Sequence, residues 1–294
     1  MRIFYFLICI AIMFASCDSK VNNDAQVLDL KNQQIGITSA HNARQLGGYR
    51  IGGKRVKADL LLRSAKLAGL SSEDSILLCD RYGVQRIYDF RSQEEILSEP
   101  DVIPGKAQYL SLSLSFTSGS ESDSQFNIDY KNQENIIGLL LQYADHPAIQ
   151  TMCTSMYDLI FFEESSQEVY RQFFADLVTL NPADGAILWH CTQGKDRAGC
   201  ASAMLLAALG ANRSLIVSDF ILSQDYYAPM VAQIPTSTDT QKMVINTLIG
   251  ANSTIFEATL DKVDEKYGSL TNYLTQCIGV TPDMMLLLRE RYLE

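Results

Sequence analysis

Basic residues are scarce in this chain. Twenty-four lysines and arginines stand against 34 aspartates and glutamates, a formal net charge of −10 over 294 residues. Binding to nucleic acid needs clustered basic side chains that displace counterions from phosphates, so this balance argues against such a role. An anionic substrate remains compatible with it, but only in a site that is locally positive against the overall field. Long apolar runs are missing too. The stretch from Ile3 to Ala15 is short of the roughly 20 residues a membrane-spanning helix requires. Cysteine is neither dense nor regularly spaced. With Cys9 and Cys17 set aside, Cys79, Cys153, Cys191, Cys200 and Cys277 remain, an odd set that follows neither a zinc pattern nor a disulfide framework. His190, Cys191 and Cys200 do not make a metal site, because adjacent residues rarely converge on one ion; no metal and no cofactor is expected. With 47% hydrophobic residues, 17 glycines and 7 prolines, disordered and collagenous chains are excluded as well.

What is present at the start reads as an export signal. Arg2 precedes the apolar run, which ends in Phe14-Ala15-Ser16-Cys17. That segment resembles the lipobox of bacterial lipoproteins, in which cleavage precedes a cysteine that then carries lipid. An ordinary cleaved signal peptide is the competing reading. The expectation is a signal peptide over 1–16, a lipid-anchored tether over 17–33 with the lipid on Cys17, and one catalytic domain over 34–294. The protein is then exported and anchored to a bacterial cell-envelope membrane.

Further along, strands and helices alternate, which predicts an α/β fold with a central sheet flanked by helices and a helical C-terminal part. Arg50-Ile51 and Leu60–Leu62 flank Gly52-Gly53 as a hairpin. Ser71 or Ser72 caps a helix that runs to Tyr82 and stops at Gly83. Val84–Phe90 and Ala107–Leu112 read as buried strands. A long helical stretch runs from about Glu134 to Leu180, its Tyr170, Phe173, Phe174, Leu177 and Val178 forming a core stripe. Ala186–Trp189 is a short strand and Arg197–Leu209 a helix ending at Gly210. A helical segment follows from Ser214, then one near 239–249. Another starts near Thr254, with Thr254 and Glu257 as its capping pair, and ends at Gly268; a last one opens at Thr281-Pro282.

The informative segment is His190-Cys191-Thr192-Gln193-Gly194-Lys195-Asp196-Arg197-Ala198-Gly199. It joins a buried strand to a helix rich in small residues. Such a junction turns successive backbone N–H groups, and the positive end of a helix dipole, toward one point. The loop between Cys191 and Arg197 suits a tetrahedral dianion, which Thr192, Gln193, Gly194 and Lys195 would line. Arg197 brings a planar fork able to hold two phosphate oxygens, and Gly194 permits a turn that a side chain would obstruct. The same field favours the thiolate of Cys191, a nucleophile toward phosphorus. His190 then acts as a support for the loop rather than as a base. A buried structural cysteine beside a core histidine is the plainer alternative.

These residues resemble the signature of cysteine-dependent protein tyrosine phosphatases, His-Cys-x5-Arg-[Ser/Thr]-Gly. Lys195-Asp196 points to the bacterial atypical branch, whose members act on phosphotyrosine, phosphoserine/threonine or phosphoinositides. Asn42-Ala43-Arg44-Gln45-Leu46-Gly47-Gly48-Tyr49 is similar to that branch's Asn-x-Arg-Asp-Leu-Gly-Gly-Tyr, departing at Gln45. Leu62-Arg63-Ser64-Ala65 and Asp89-Phe90-Arg91-Ser92 resemble its Phe-Arg-Ser and Asp-Leu-Arg segments. Tyr267–Leu270, Tyr273-Leu274 and Gly279–Thr281 look like its C-terminal region. Ala198 departs, standing where most such enzymes carry Ser or Thr. The resemblance implies a phosphomonoester hydrolase that works through a cysteinyl-phosphate, acting on phosphorylated protein or, alternatively, phosphoinositide. It also makes Asp196 a candidate proton donor. Asp89, at a strand end, is a second candidate, with a structural ion pair as its other reading. Asp123 and Asp129, on the polar segment 113–133, are further candidates if that segment is a lid. Lys195 is expected to add positive potential for charged head groups. A sulfurtransferase, whose loop is one residue shorter, and a non-catalytic phosphate-binding module are the remaining rivals.

Overall fold

The computed structural model describes residues 33–115 and 133–294. The expected signal peptide, Cys17, Asp123 and Asp129 lie outside those residues. The end of the expected tether does not: Gln33 is buried, and Gln34 forms a bridge with Arg44.

Among the described residues a five-stranded sheet has the order β1-β4-β7-β5-β6. These are β1 (Arg44–Gln45), β4 (Leu61–Ser64), β7 (Ile187–His190), β5 (Arg86–Asp89) and β6 (Gln108–Ser111). β1 runs antiparallel to β4, and the other neighbours are parallel. In register, Ser64 pairs with His190, His190 with Asp89, and Asp89 with Ser111, so four strands finish level with one another. In open α/β sheets the crevice beyond these carboxyl ends is where ligands bind. Buried on both faces, β4 and β7 are short and continuous rather than alternating.

The expected hairpin forms with a different partner. β2 (Arg50–Ile51) pairs with β3 (Lys54–Arg55) across Gly52-Gly53, and Leu61-Leu62 enter the main sheet. Two residues between short strands close a tighter hairpin than eight would. The single helical stretch expected over 134–180 is four helices: α3 (Gln133–Gln142), α4 (Pro147–Thr154), α5 (Met156–Phe162) and α6 (Glu164–Leu177). Pro147 sits at the first position of α4, where its missing N–H costs nothing, and Glu163 leaves the helical region with ψ 131°. On α6, Tyr170, Phe173, Phe174 and Leu177 are fully buried, as their spacing predicts.

Ser71 caps α1 (Ser72–Ile76), and Ser92 caps α2 (Gln93–Ser98) in a reciprocal box with Glu95. α7 (Arg197–Leu209) is buried along its whole length, because Ala198, Gly199, Ala201, Ala203 and Ala207 let neighbours approach closely. It ends at Gly210 in the left-handed conformation. α8 (Arg213–Ala232), α9 (Asp239–Leu248), α10 (Ser253–Tyr267), α11 (Leu270–Tyr273) and α12 (Pro282–Tyr292) complete the helical C-terminal part. Asn252, rather than Thr254, caps α10, its side chain accepting from Ile255 N.

Candidate active site

The segment Cys191–Asp196 leaves β7 at the carboxyl edge of the sheet and enters α7 at Arg197. Its shape is set from outside. The carbonyl of Thr192 accepts from the Lys66 N–H at 3.3 Å. That of Gln193 accepts from Asn42 Nδ2 at 3.2 Å and from Tyr227 Oη at 2.5 Å. Gly194 O accepts from Asn42 Nδ2 at 3.0 Å and Arg63 Nη2 at 2.7 Å, and Lys195 O from Arg63 Nη2 at 3.4 Å. Four successive carbonyls are therefore drawn outward. In a trans peptide the following N–H points the opposite way, so the amides of residues 193–196 turn toward the loop's interior. Gly194 makes this possible: its φ is +66°, and a Cβ there would lie 2.3 Å from the Ser64 carbonyl oxygen.

The donors behind the loop are themselves fixed. Arg63 Nη1 pairs with Asp219 at 2.7 Å, Arg44 Nε lies 3.5 Å from the same carboxylate, and Tyr49 Oη donates to it at 2.8 Å. Arg44 also donates to the Asp219 carbonyl, to Ser223 and to Asn42 Oδ1. All are buried. Burial presses the Asp219 carboxyl upward, but the two arginines outweigh it and hold it below its ordinary value. Burial and the Arg44 charge press Arg63 down to about 10, which leaves it a cation at neutral pH.

Cys191 lies at the foot of this cradle with 2% of its surface exposed. His190, one residue earlier, has its ring between two carboxylates: Nδ1 is 3.7 Å from Asp89 and Nε2 is 3.2 Å from Asp101. Arg91 ties the same two carboxylates together at 2.7 and 2.6 Å, and Tyr109 donates to Asp89 at 2.7 Å. Burial works to raise the Asp89 carboxyl, but His190, Arg91 and Tyr109 keep it well below the usual range. Asp89 is thus a buried structural anion, tied to Arg91 and Tyr109, and its reading as an ion pair is the one this geometry favours over that of a proton donor. Asp89, Asp101 and His190 lie close enough to share a cation, and Arg91 already supplies one.

Arg197 differs from its expected posture. Nη1 donates to Glu95 Oε2 at 2.6 Å and to the carbonyls of Phe90 and Leu114, and Nη2 donates to Glu95 Oε1 at 2.8 Å and Thr192 Oγ1 at 3.1 Å. The planar fork expected to face phosphate holds a carboxylate of the protein instead. Burial pushes the Glu95 carboxyl up, but Arg197 and Thr192 bring it down to about 2. Burial lowers and Glu95 raises the Arg197 guanidinium, with a rise as the net result.

Lys195 also departs from expectation. It is fully buried, and its Nζ bonds Asp196 Oδ2 at 2.8 Å, Asp196 Oδ1 at 3.0 Å and the Thr247 carbonyl at 2.9 Å. Its charge is committed to Asp196 and to the end of α9, not to a head group. Asp196 is a fifth exposed and receives a further bond, from Tyr157 Oη at 2.8 Å. Thr192, Gln193 and Gly194 are tied to their neighbours through their backbone carbonyls, and Thr192 also through its hydroxyl.

Sequence reasoning assigned no role to Glu95, Asn42, Arg63, Tyr157, Asp219 or Tyr227. Glu95 carries a local signal, the Ser92–Glu95 capping box. Asn42 and Arg63 lie in the family-like segments Asn42–Tyr49 and Leu62–Ala65, whereas Tyr157, Asp219 and Tyr227 meet the loop across long stretches of chain that no spacing announces.

Residues 35–294 match the sequence profile of the tyrosine phosphatase family. A putative tyrosine-protein phosphatase of Cupriavidus necator is 26% identical over 252 residues, 84% of this chain and 84% of that protein. The triple specificity protein phosphatase PtpB of Mycobacterium tuberculosis is 32% identical over 112 residues, 33% of this chain and 41% of its own length. Among solved structures, the core catalytic domain of the PP-IP phosphatase SIW14 from S. cerevisiae aligns with 78% of this chain and 96% of its own. Its TM-score is 0.34 and its identity 11%, too distant a likeness to bear on substrate. With the profile spanning almost every described residue, the chain belongs to the tyrosine phosphatase family.

Proposed function

We propose that Cys191, Arg197 and Asp196 carry the hydrolysis of a phosphate monoester, with phosphotyrosine in protein as the main substrate. One observation supports this most: four outward-tied carbonyls leave a run of inward amides above Cys191 and at the start of α7. The phosphoryl oxygens are held by these amides, and Arg197 joins them by exchanging its Thr192 contact for a phosphate oxygen. The Cys191 thiolate forms an S–P bond as the P–O bond to the leaving group breaks. Asp196, in its acid form, gives its proton to the leaving oxygen. Asp196 then takes a proton from water, the water oxygen attacks phosphorus, and the thiolate is released. Glu95 keeps Arg197 aimed during both steps.

Cys191→Ser should abolish turnover yet still bind vanadate or phosphate, because the backbone cradle survives; Arg197→Ala should lose both. More than a few per cent of residual activity in Cys191→Ser would defeat the covalent route. Activity is expected to be indifferent to chelators.

The anchoring is part of the same proposal: signal peptide over 1–16, lipid on Cys17, tether to 33, catalytic unit over 34–294. The lipobox-like Ala15-Ser16-Cys17 supports it. In a bacterial host, Cys17→Ala should move the protein from the membrane to the soluble fraction and abolish labelling by a fatty-acid probe.

A further inference from the structure

We infer that Tyr157 is a positioning residue for Asp196 and thereby decides which leaving groups the enzyme can expel; this rests on reading Asp196 as the proton donor. Asp196 sits at the loop–helix junction with φ −82° and ψ −77°, and its own side chain does not cap α7. What fixes the carboxylate comes from elsewhere. Lys195 Nζ reaches both oxygens, and Tyr157 Oη donates to Oδ1. The two donors are anchored on separate elements. Lys195 is tied to the Thr247 carbonyl at the end of α9. Tyr157 lies on α5, its ring edge-on to Phe220 of α8 and Phe256 of α10, each at 5.5 Å between centroids. Phe220 and Phe256 stack on each other at 4.1 Å, giving a rigid platform.

The next residue on α5 locks this placement. Asp158 accepts from Thr259 Oγ1 at 2.7 Å and Lys262 Nζ at 2.5 Å, both on α10. These bonds tie α5 to α10 next to the phenol. Burial and the adjacent Asp196 charge push its hydroxyl far above the ordinary tyrosine range, so it stays a donor throughout the working pH range. Lys195, reaching both oxygens, restrains the charge without choosing between them. A phenol held at its ring fixes the carboxylate's rotation, and with it the oxygen that meets the leaving group. Oδ1 carries bonds from both Tyr157 and Lys195, and Oδ2 from Lys195 alone; Oδ2 is therefore the oxygen assigned to the leaving group. Aim matters only where the leaving oxygen needs a proton, so the effect belongs to alkyl and unactivated aryl phosphates.

The test is Tyr157→Phe, which keeps the ring packing and removes the hydroxyl. The readout is the ratio of kcat/KM on phenyl phosphate to that on para-nitrophenyl phosphate, which does not depend on the fraction of enzyme folded. The ratio should fall about tenfold, the effect of one hydrogen bond to a charged group. Asp196→Asn should lower it further, and adding Tyr157→Phe to Asp196→Asn should lower it no more. An unchanged ratio in Tyr157→Phe, beside a lowered one in Asp196→Asn, overturns the positioning role and leaves the acid reading intact. An unchanged ratio in Asp196→Asn overturns the acid reading itself. A Tyr157→Phe chain that does not fold at all also overturns the inference, since the hydroxyl would then be a requirement of the scaffold.

Discussion

Two buried charge clusters flank the loop, and they are near mirror images. Behind it, one carboxylate, Asp219, serves two guanidinium groups, Arg44 and Arg63. At its start, one guanidinium, Arg91, serves two carboxylates, Asp89 and Asp101, with His190 between them. The first has a surplus of positive charge, and the surplus goes into the loop: Arg63 Nη2 donates to the carbonyls of Gly194 and Lys195. The second is turned to holding strand ends and connections, with Asp101 accepting from the Leu67 N–H and Arg91 donating to the Glu99 carbonyl. The chain as a whole is acidic, yet the cluster directly beneath the anion cradle is cationic. A locally positive site in an acidic protein is thus built from buried arginines shared between one acid and the loop's own carbonyls.

The comparison breaks first at its acids. Asp219→Ala leaves two buried guanidinium groups with no carboxylate and should cost about 3–5 kcal/mol, with activity lost as the loop carbonyls are released. Asp101→Ala leaves Arg91 still paired to Asp89 and should cost only about 1–2 kcal/mol, with activity largely kept. Urea unfolding of the two variants, with kcat/KM on para-nitrophenyl phosphate, checks both. Equal losses would mean that the clusters are not distinct in role.

A third ion pair sharpens the picture through pH. Glu95 has its folded value depressed to about 2, so its pairing with Arg197 contributes stability that is present above the ordinary glutamate range. That contribution, about 2–3 kcal/mol, is lost as pH falls from roughly 5 toward 2. Acid titration of unfolding stability should show this slope, and Glu95→Gln should flatten it. A parental slope retained in Glu95→Gln would assign it to other carboxyls.

The smallest effect concerns Ala198. Most enzymes with this signature place a hydroxyl there to stabilise the departing thiolate. Thr192 does not replace it, since its hydroxyl is taken by Glu95 and Arg197. Breakdown of the intermediate should therefore limit turnover, giving a product burst, and Ala198→Thr should raise the steady rate by up to about tenfold. Absence of both would show that the second step does not limit turnover.

Much of this was legible in the sequence where the causes are local. The strand–loop–helix around Cys191, the stop at Gly210 and the Tyr170–Leu177 stripe all follow from neighbours within a few positions. The hairpin partner of β2 is not legible there, because Leu61–Ser64 has a better use in the central sheet. The posture of Arg197 and Lys195 escapes the sequence for a different reason. Residue type tells what a side chain is able to bind, but Glu95 and Thr247 reach those groups from 102 and 52 positions away. The same holds for Tyr157 and Asp219, whose roles exist only once the helices have packed.

Rapid-quench labelling tests the central claim most directly. Enzyme mixed with phosphate-labelled aryl phosphate, quenched within the first turnover and mapped by peptide, should carry label on Cys191. Cys191→Ser should carry none. Turnover with no protein-bound phosphate, or with label on another residue, would contradict the account.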